Sequence, residues 1–299
     1  MDLQALKVFQ AVAKMGSISS AARELNYAQS NITTKIQQLE KQLQTTLVHR
    51  HNRGILLTAK GKSLLIYAEK IFHLIDETNK VMKDDQTPKG PLLIGSMETT
   101  AAIRLPVLLS KYHRHYPNVD LTLATGPTAQ HVHGVLHYEL DGAFVAGPID
   151  HPEIVQETVF EEKLVLITDI HQPSLSSIKE LENRTLLVFR TGCSYREKME
   201  NWLAEEGVAP NKIMEFGTLD AIIGCVSAGL GISMLPYSVV AKYIQEGTLK
   251  QHVIPNPYGK VETLFIYRKD RYVSTSLVKF IDMLSNEVPV IDDQNLIQI

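Results

Sequence analysis

The sequence predicts an N-terminal all-α part closed by a small hairpin and a long helix, followed by an α/β part. Three observations carry that reading. Apolar residues recur at helical spacing from the start of the chain. The run Gln86-Thr87-Pro88-Lys89-Gly90-Pro91 then interrupts every periodicity and reads as a linker. Beyond it, short apolar runs alternate with helical patterns, the texture of mainly parallel sheets with right-handed crossovers.

The first helix is expected over residues 3–14, where Leu3, Leu6, Phe9, Val12 and Ala13 share a face and Asp2 can cap the start. Gly16 ends it. Ser17 can cap a second helix carrying Ile18, Ala21, Ala22 and Leu25, and Asn26-Tyr27 reads as a turn. A third helix puts Ile32, Ile36, Leu39 and Leu43 on its buried face and Gln29, Ser30, Thr33, Thr34, Lys35 and Gln37 on the other. Three short helices with a tight turn between the last two form a helix-turn-helix pattern. Two apolar strands flanking Asn52 and Gly54 add a hairpin with a basic tip. Thr58 then starts a helix reaching about residue 84, with Leu64, Ala68, Ile71, Ile75 and Met82 at near-heptad spacing. Such a helix, roughly 40 Å long at the usual rise, buries its single stripe most naturally against a second copy. In the second part, strands are expected at residues 92–95, 119–124, 142–146, 164–168, 185–189, 231–235 and 264–267. Helices are expected at 103–113, 195–206, 220–228 and 274–284.

Length and charge fit this division. The 299 residues, 44% of them hydrophobic, suit two domains with a sizeable core. Residues 1–62 hold nine Lys or Arg against three acids, a local +6; since the whole chain carries −3, the remainder carries −9. A basic end on an acidic body singles out the first part as the one that meets a polyanion. Two cysteines exclude a disulfide framework. No signal peptide or membrane span is read, which makes the cytoplasm the expected compartment.

At the basic end, Gln29 carries an amide that can read adenine bidentately, while Ser30, Thr33 and Thr34 can meet bases or phosphates. Ser17, Ser19 and Ala28 open the second and third helices beside them. Lys35, Arg50 and Arg53 supply cations for phosphates. Any one of these residues alone would suit a solvated surface; the ordered set with the local +6 points to double-stranded DNA.

The same ordered set resembles the LysR-type transcriptional regulator family, over essentially the whole chain. Phe9, Val12, Gly16-Ser17, Ala21-Ala22, Leu25, Gln29-Ser30, Ile36 and Leu39-Glu40 match its helix-turn-helix, and Leu47, Arg50, Leu57-Thr58 and Gly61 match its wing and linker entry. Leu105-Pro106, Tyr116-Pro117-Asn118-Val119 and Ala228-Gly229-Leu230-Gly231-Ile232 with Pro236 resemble its effector domain. The resemblance implies a winged helix-turn-helix (1–58), a dimerising linker helix and hinge (59–89) and a periplasmic-binding-protein-like effector domain (90–299). That domain holds two Rossmann-like subdomains, about 90–161 with 267–290 and about 162–266. It implies a non-enzymatic regulator acting on an operator as a homodimer or homotetramer, and it allows contact with RNA polymerase. Crossings between subdomains are expected near residues 161–163 and 263–267.

Ser96-Met97-Glu98-Thr99-Thr100 closes the first strand of the second part, and hydroxyls with free N–H groups at such a turn suit a carboxylate or another small organic anion. The resemblance places an effector there, beside Thr125-Gly126-Pro127-Thr128 and facing Thr191-Gly192-Cys193-Ser194 and Arg196. Glu98 would repel an anion unless it turns away. Arg196 near Cys193 would favour a thiolate, although a plain cleft-lining thiol is the simpler expectation. His133 and His137 have the i, i+4 spacing of a chelating pair, with His131 alongside, but Val132 and Leu136 occupy the expected buried stripe; the histidines are read as solvent-facing. No cofactor is expected. The rival reading, a small-molecule-binding protein or α/β enzyme with an accessory helical domain, lacks a phosphate-binding glycine loop and a nucleophile elbow.

Overall fold

The computed structural model describes residues 1–51, 54–83, 87–172, 178–182, 184–269 and 273–287. The chain divides into two compact units, Met1–Lys83 and Asp84–Ile299.

In the first unit, α1 (Leu3–Met15), α2 (Ile18–Glu24) and α3 (Gln29–Leu43) precede a hairpin, β1 (Val48–His51) with β2 (Gly54–Leu57), and α4 (Ala59–Lys83). The starts are local chemistry. The Asp2 carboxylate accepts from the Ala5 N–H at 2.6 Å, Ser17 Oγ accepts from the Ser20 N–H at 3.4 Å, and Thr58 Oγ1 accepts from the Gly61 N–H at 2.9 Å. Gly16 takes the left-handed φ of 62° that ends α1, and its carbonyl accepts the Ile55 N–H, tying the hairpin to that helix end. Glu40 Oε1 accepts from the Leu47 and Val48 N–H groups and so fixes the start of β1 against α3. Phe9, Val12, Ala21, Ile32, Ile36 and Leu39 form the core, joined by Leu64 and Leu65 of α4.

The second unit contains β3 (Gly90–Ser96), α5 (Glu98–Ile103), α6 (Leu105–His115), β4 (Val119–Thr125), α7 (Thr128–Leu136) and β5 (Gly142–Ala146). Then follow β6 (Ile154–Asp169), β7 (Thr185–Phe189), α8 (Ser194–Glu205), β8 (Lys212–Phe216), α9 (Leu219–Ser227), β9 (Ser233–Pro236), α10 (Tyr237–Gln245), β10 (Leu249–Val253), β11 (Lys260–Arg268) and α11 (Thr275–Glu287). The strands are mixed rather than mainly parallel. β3 pairs parallel with β4 and β5, and β7 with β8, but β11 runs antiparallel to β5 and β6, and β6 antiparallel to β9 and β10. The departure lies in the two connecting strands, which run against the Rossmann-type strands they join. β6 pairs with β11 as far as Lys163 and with β9 and β10 from Leu164 onward, while β11 joins β5 from Thr263.

Each half has its own core. Leu92, Ile94, Tyr112, Phe144 and Phe265 pack with Phe280 of α11 in one; Leu186, Tyr195, Met199, Trp202 and Met234 pack in the other. Arg104 and Glu162 form a bidentate ion pair at 3.0 and 3.2 Å close to the crossing of β6, with both side chains about 95% buried, and Ser238 Oγ donates to Glu162 at 2.9 Å. Among the described residues no helix is long and apolar enough to cross a membrane.

Candidate DNA surface and effector cleft

In the first unit, Ser19, Ala28, Gln29, Ser30 and Thr34 are exposed, and Ser17, Thr33 and Lys35 half-buried. α3 starts at Ala28 without a side-chain cap, so its first N–H groups and the Gln29 and Ser30 side chains are presented together. Two polar groups have local work: Thr34 Oγ1 donates to the Ser30 carbonyl at 2.9 Å, and Lys35 Nζ donates to Gln4 Oε1 at 3.1 Å. Arg50 stands on β1; its side chain, like all of Arg53, lies outside the described residues.

In the second unit, a cleft of about 480 Å³ is lined from both halves. β3, α5, β4 and α7 bring Met97, Glu98, Thr99, Thr125, Gly126, Pro127, Thr128, Ala129 and Gln130. The ends of β7 and β8, the segments that follow them and the start of α8 bring Phe189, Arg190, Thr191, Cys193, Tyr195, Phe216 and Gly217. Its size is that of an ordinary small-molecule site, roughly 300–1,000 Å³. Two hydrogen bonds cross between the walls: Thr99 Oγ1 and the Tyr195 hydroxyl at 3.3 Å, and the Ala129 N–H to the Gly192 carbonyl at 3.4 Å. Burial pushes the Tyr195 phenol well above its usual pKa, so it stays neutral and can donate.

Several expected contributors are turned elsewhere. Ser96 is fully buried, and its hydroxyl donates to the Met97 carbonyl at 3.0 Å. Thr100 is buried within α5 and does not line the cleft, nor do Gly192 and Ser194. Arg196 donates to Glu200 at 2.8 Å, to Glu215 at 2.6 Å and to Thr191 Oγ1 at 3.3 Å, so its charge is already answered by two carboxylates. Burial, the largest effect on Cys193, raises its thiol pKa against the smaller pull of backbone bonds and Arg196; it is a neutral cleft-lining thiol and not a thiolate.

The histidine cluster is also rearranged. α7 buries Thr128, His131, Gly134 and Val135, so His131 faces inward and not toward solvent. Its Nε2–H donates to the Ser96 carbonyl at 2.8 Å, and burial lowers its pKa, opposed in part by backbone bonds at Ser96 and Gly126. Gly95 is required by this packing: a Cβ there would come within 2.6 Å of His131 Nδ1. The His133 and His137 rings stack at 3.8 Å, with His137 Nδ1 bonded to the His133 carbonyl. Among the described residues no three His, Cys, Asp or Glu side chains group as metal ligands.

Residues 3–62 match the family described as "Bacterial regulatory helix-turn-helix protein, lysR family", and residues 85–289 match the "LysR substrate binding domain". The chain belongs to the LysR family of regulators. This LysR-family chain is 56% identical over 281 residues to the HTH-type transcriptional regulator GltR of Bacillus subtilis (strain 168), covering 94% of this chain and 95% of the relative. It is 47% identical over 286 residues to the regulator SoxR of Arthrobacter sp. (strain TE1826), covering 96% and 97%. Full-length CbnR complexed with its target DNA shares the fold at a TM-score of 0.64 and 25% identity, covering 95% of this chain and 99% of that one. This LysR-family protein is therefore a DNA-binding transcription regulator with an effector-binding domain, and not an enzyme.

The cation missed in the sequence is Arg190. It directly follows a strand that the sequence predicts, and ligands in such sheets gather beyond strand ends; that rule could have selected it. Phe216 and Gly217 could not be reached this way, because the sequence predicts no strand over residues 212–216, where the structure has β8.

Proposed function

We propose that the protein binds its operator through the start of α3 and responds to a small organic acid held in the cleft. The observation that carries the effector reading is Arg190. It lines the cleft, it is exposed, and its guanidinium has no ion-pair partner among the described residues. An unanswered guanidinium in a concave site that Thr125 also lines suits a carboxylate. On the DNA side, Gln29 reads a base, Ser30, Thr33 and Thr34 support it, and Ser17, Ser19, Ala28 and Lys35 lie along the backbone with Arg50 and Arg53 of the hairpin.

α4 serves self-association as a homodimer or homotetramer. Leu64 and Ala68 turn into the unit's own core, but Tyr67, Leu74 and Met82 are 64, 58 and 76% exposed. With Ile71 they form a stripe at near-heptad spacing that a second copy can cover. Leu74→Asp should abolish the oligomer in sedimentation, because a buried charge in an apolar seam is strongly unfavourable; an unchanged mass would remove this role. A promoter-bound oligomer in the cytoplasm is positioned to contact RNA polymerase.

The effector reading is tested by calorimetric titration of the full chain with organic acids. Arg190→Ala should weaken a bound acid about tenfold or more, the usual consequence of losing hydrogen bonds to a charged group. Wild-type affinity in that variant would overturn the assignment.

A further inference from the structure

The cleft holds two formal charges, one on each wall: Arg190 after β7 and Glu98 at the start of α5. Neither side chain has an ion-pair partner among the described residues. Elsewhere in this unit the semi-buried guanidinium groups are answered: Arg104 by Glu162, Arg196 by Glu200 and Glu215, and Arg268 by Glu153. A simple anion would satisfy Arg190 and leave Glu98 facing a like charge in a partly desolvated site, which is unfavourable.

We infer that the effector is a zwitterion of the amino-acid type, with its carboxylate at Arg190 and its ammonium at Glu98. The inference rests on the cleft being the effector site. The remaining wall suits the rest of such a molecule. Phe189, Phe216 and Met97 offer apolar surface to a side chain, and about 480 Å³ leaves room for one of several carbons. The Thr99 hydroxyl, held by the Tyr195 phenol, stands next to Glu98 and can accept a second ammonium proton. The ammonium, with three donors, needs such a set of acceptors, and the Glu98 carboxylate supplies the charged one.

The test uses the full-length protein and two sets of probes: the twenty proteinogenic amino acids, and the 2-hydroxy acids that replace their amino group by hydroxyl. Affinities are measured by calorimetry for wild type, Glu98→Gln and Arg190→Ala. The expected result is that one or more amino acids bind and their 2-hydroxy counterparts bind at least tenfold more weakly. Glu98→Gln should weaken the amino acid about tenfold and leave the difference between the two probe sets largely erased. Arg190→Ala should weaken both sets together. If 2-hydroxy acids bind as well as amino acids, or bind better in Glu98→Gln, the zwitterion is overturned while the cleft stands as an acid site. If no probe of either set binds, or a bound probe is indifferent to both variants, the cleft reading fails and the zwitterion with it.

Discussion

α3 of the first unit exposes Gln29, Ser30 and Thr34 along one short stretch of helix, whereas the cleft of the second unit draws its lining from four segments between Met97 and Gly217. The first surface is convex and polar, and its residues point outward because the opposite face, Ile32, Ile36 and Leu39, is buried. The second is concave, and which side chain enters it depends on how two cores and two crossing strands meet. A helical face follows from periodicity alone. A cleft does not, because a residue at a strand end can turn inward, as Ser96 does, and one in the first turn of the next helix can turn toward a neighbouring acid, as Arg196 does.

The comparison is broken most severely at the crossing of β6. Glu162→Ala should remove the carboxylate that answers the buried Arg104 guanidinium and destabilise the second unit by about 3–5 kcal/mol. Trp202, the single tryptophan of the chain, is buried in that unit, so urea unfolding followed by its fluorescence reads the loss directly. Replacing both Arg104 and Glu162 by apolar residues of similar volume should recover most of it. A shift of less than about 1 kcal/mol in the single variant would show the pair to be solvated and not a structural anchor.

The next effect separates base reading from charge on the first surface. Gln29→Ala should cost roughly 1–3 kcal/mol on the operator and little on a scrambled duplex. Lys35→Ala should weaken both duplexes alike and lower the salt slope by about one per subunit engaged. Because Lys35 is bonded to Gln4, a smaller slope change would mean that it stays with α1 and leaves the phosphates to the hairpin. Equal losses on both duplexes for Gln29→Ala would remove it as a base reader.

The helix-turn-helix, the hairpin and the long helix were legible in the sequence because each is set by neighbours within a few turns: Asp2, Ser17 and Thr58 cap the helices they precede. The alternation of the second unit was legible too, but not its antiparallel strands. β6 runs 16 residues, pairing with β11 over its first part and with β9 and β10 over its second, and a short apolar window finds only its second half. At the cleft the segments around residues 97, 126 and 191 were legible as strand-to-helix turns, while Gln130 and Tyr195 were not. Their placement depends on Gly192 backing onto Ala129 and on Tyr195 reaching Thr99, contacts between residues more than 60 positions apart in the chain.

His131 gives the smallest predicted effect and the sharpest check on that inward turn. A solvent-facing histidine would have no reason to resist protonation, but this one is buried on the Ser96 carbonyl and its pKa is held below the ordinary 6.5. Between its native and unfolded pKa values the unfolded chain binds more protons than the folded one, so stability rises with pH there. The contribution is complete above about 6.5 and is lost as pH falls toward the native pKa. His252, also lowered by burial and by Lys250, acts in the same direction. The urea midpoint of the Trp202 transition should therefore fall between pH 7.5 and 5.5, and His131→Gln, which retains a donor for Ser96, should flatten part of that fall and leave the share due to His252. A wild-type midpoint that does not move with pH, or an unchanged slope in His131→Gln, would mean that the imidazole reaches water and that α7 sits less closely on β3 than its packing against Gly95 implies.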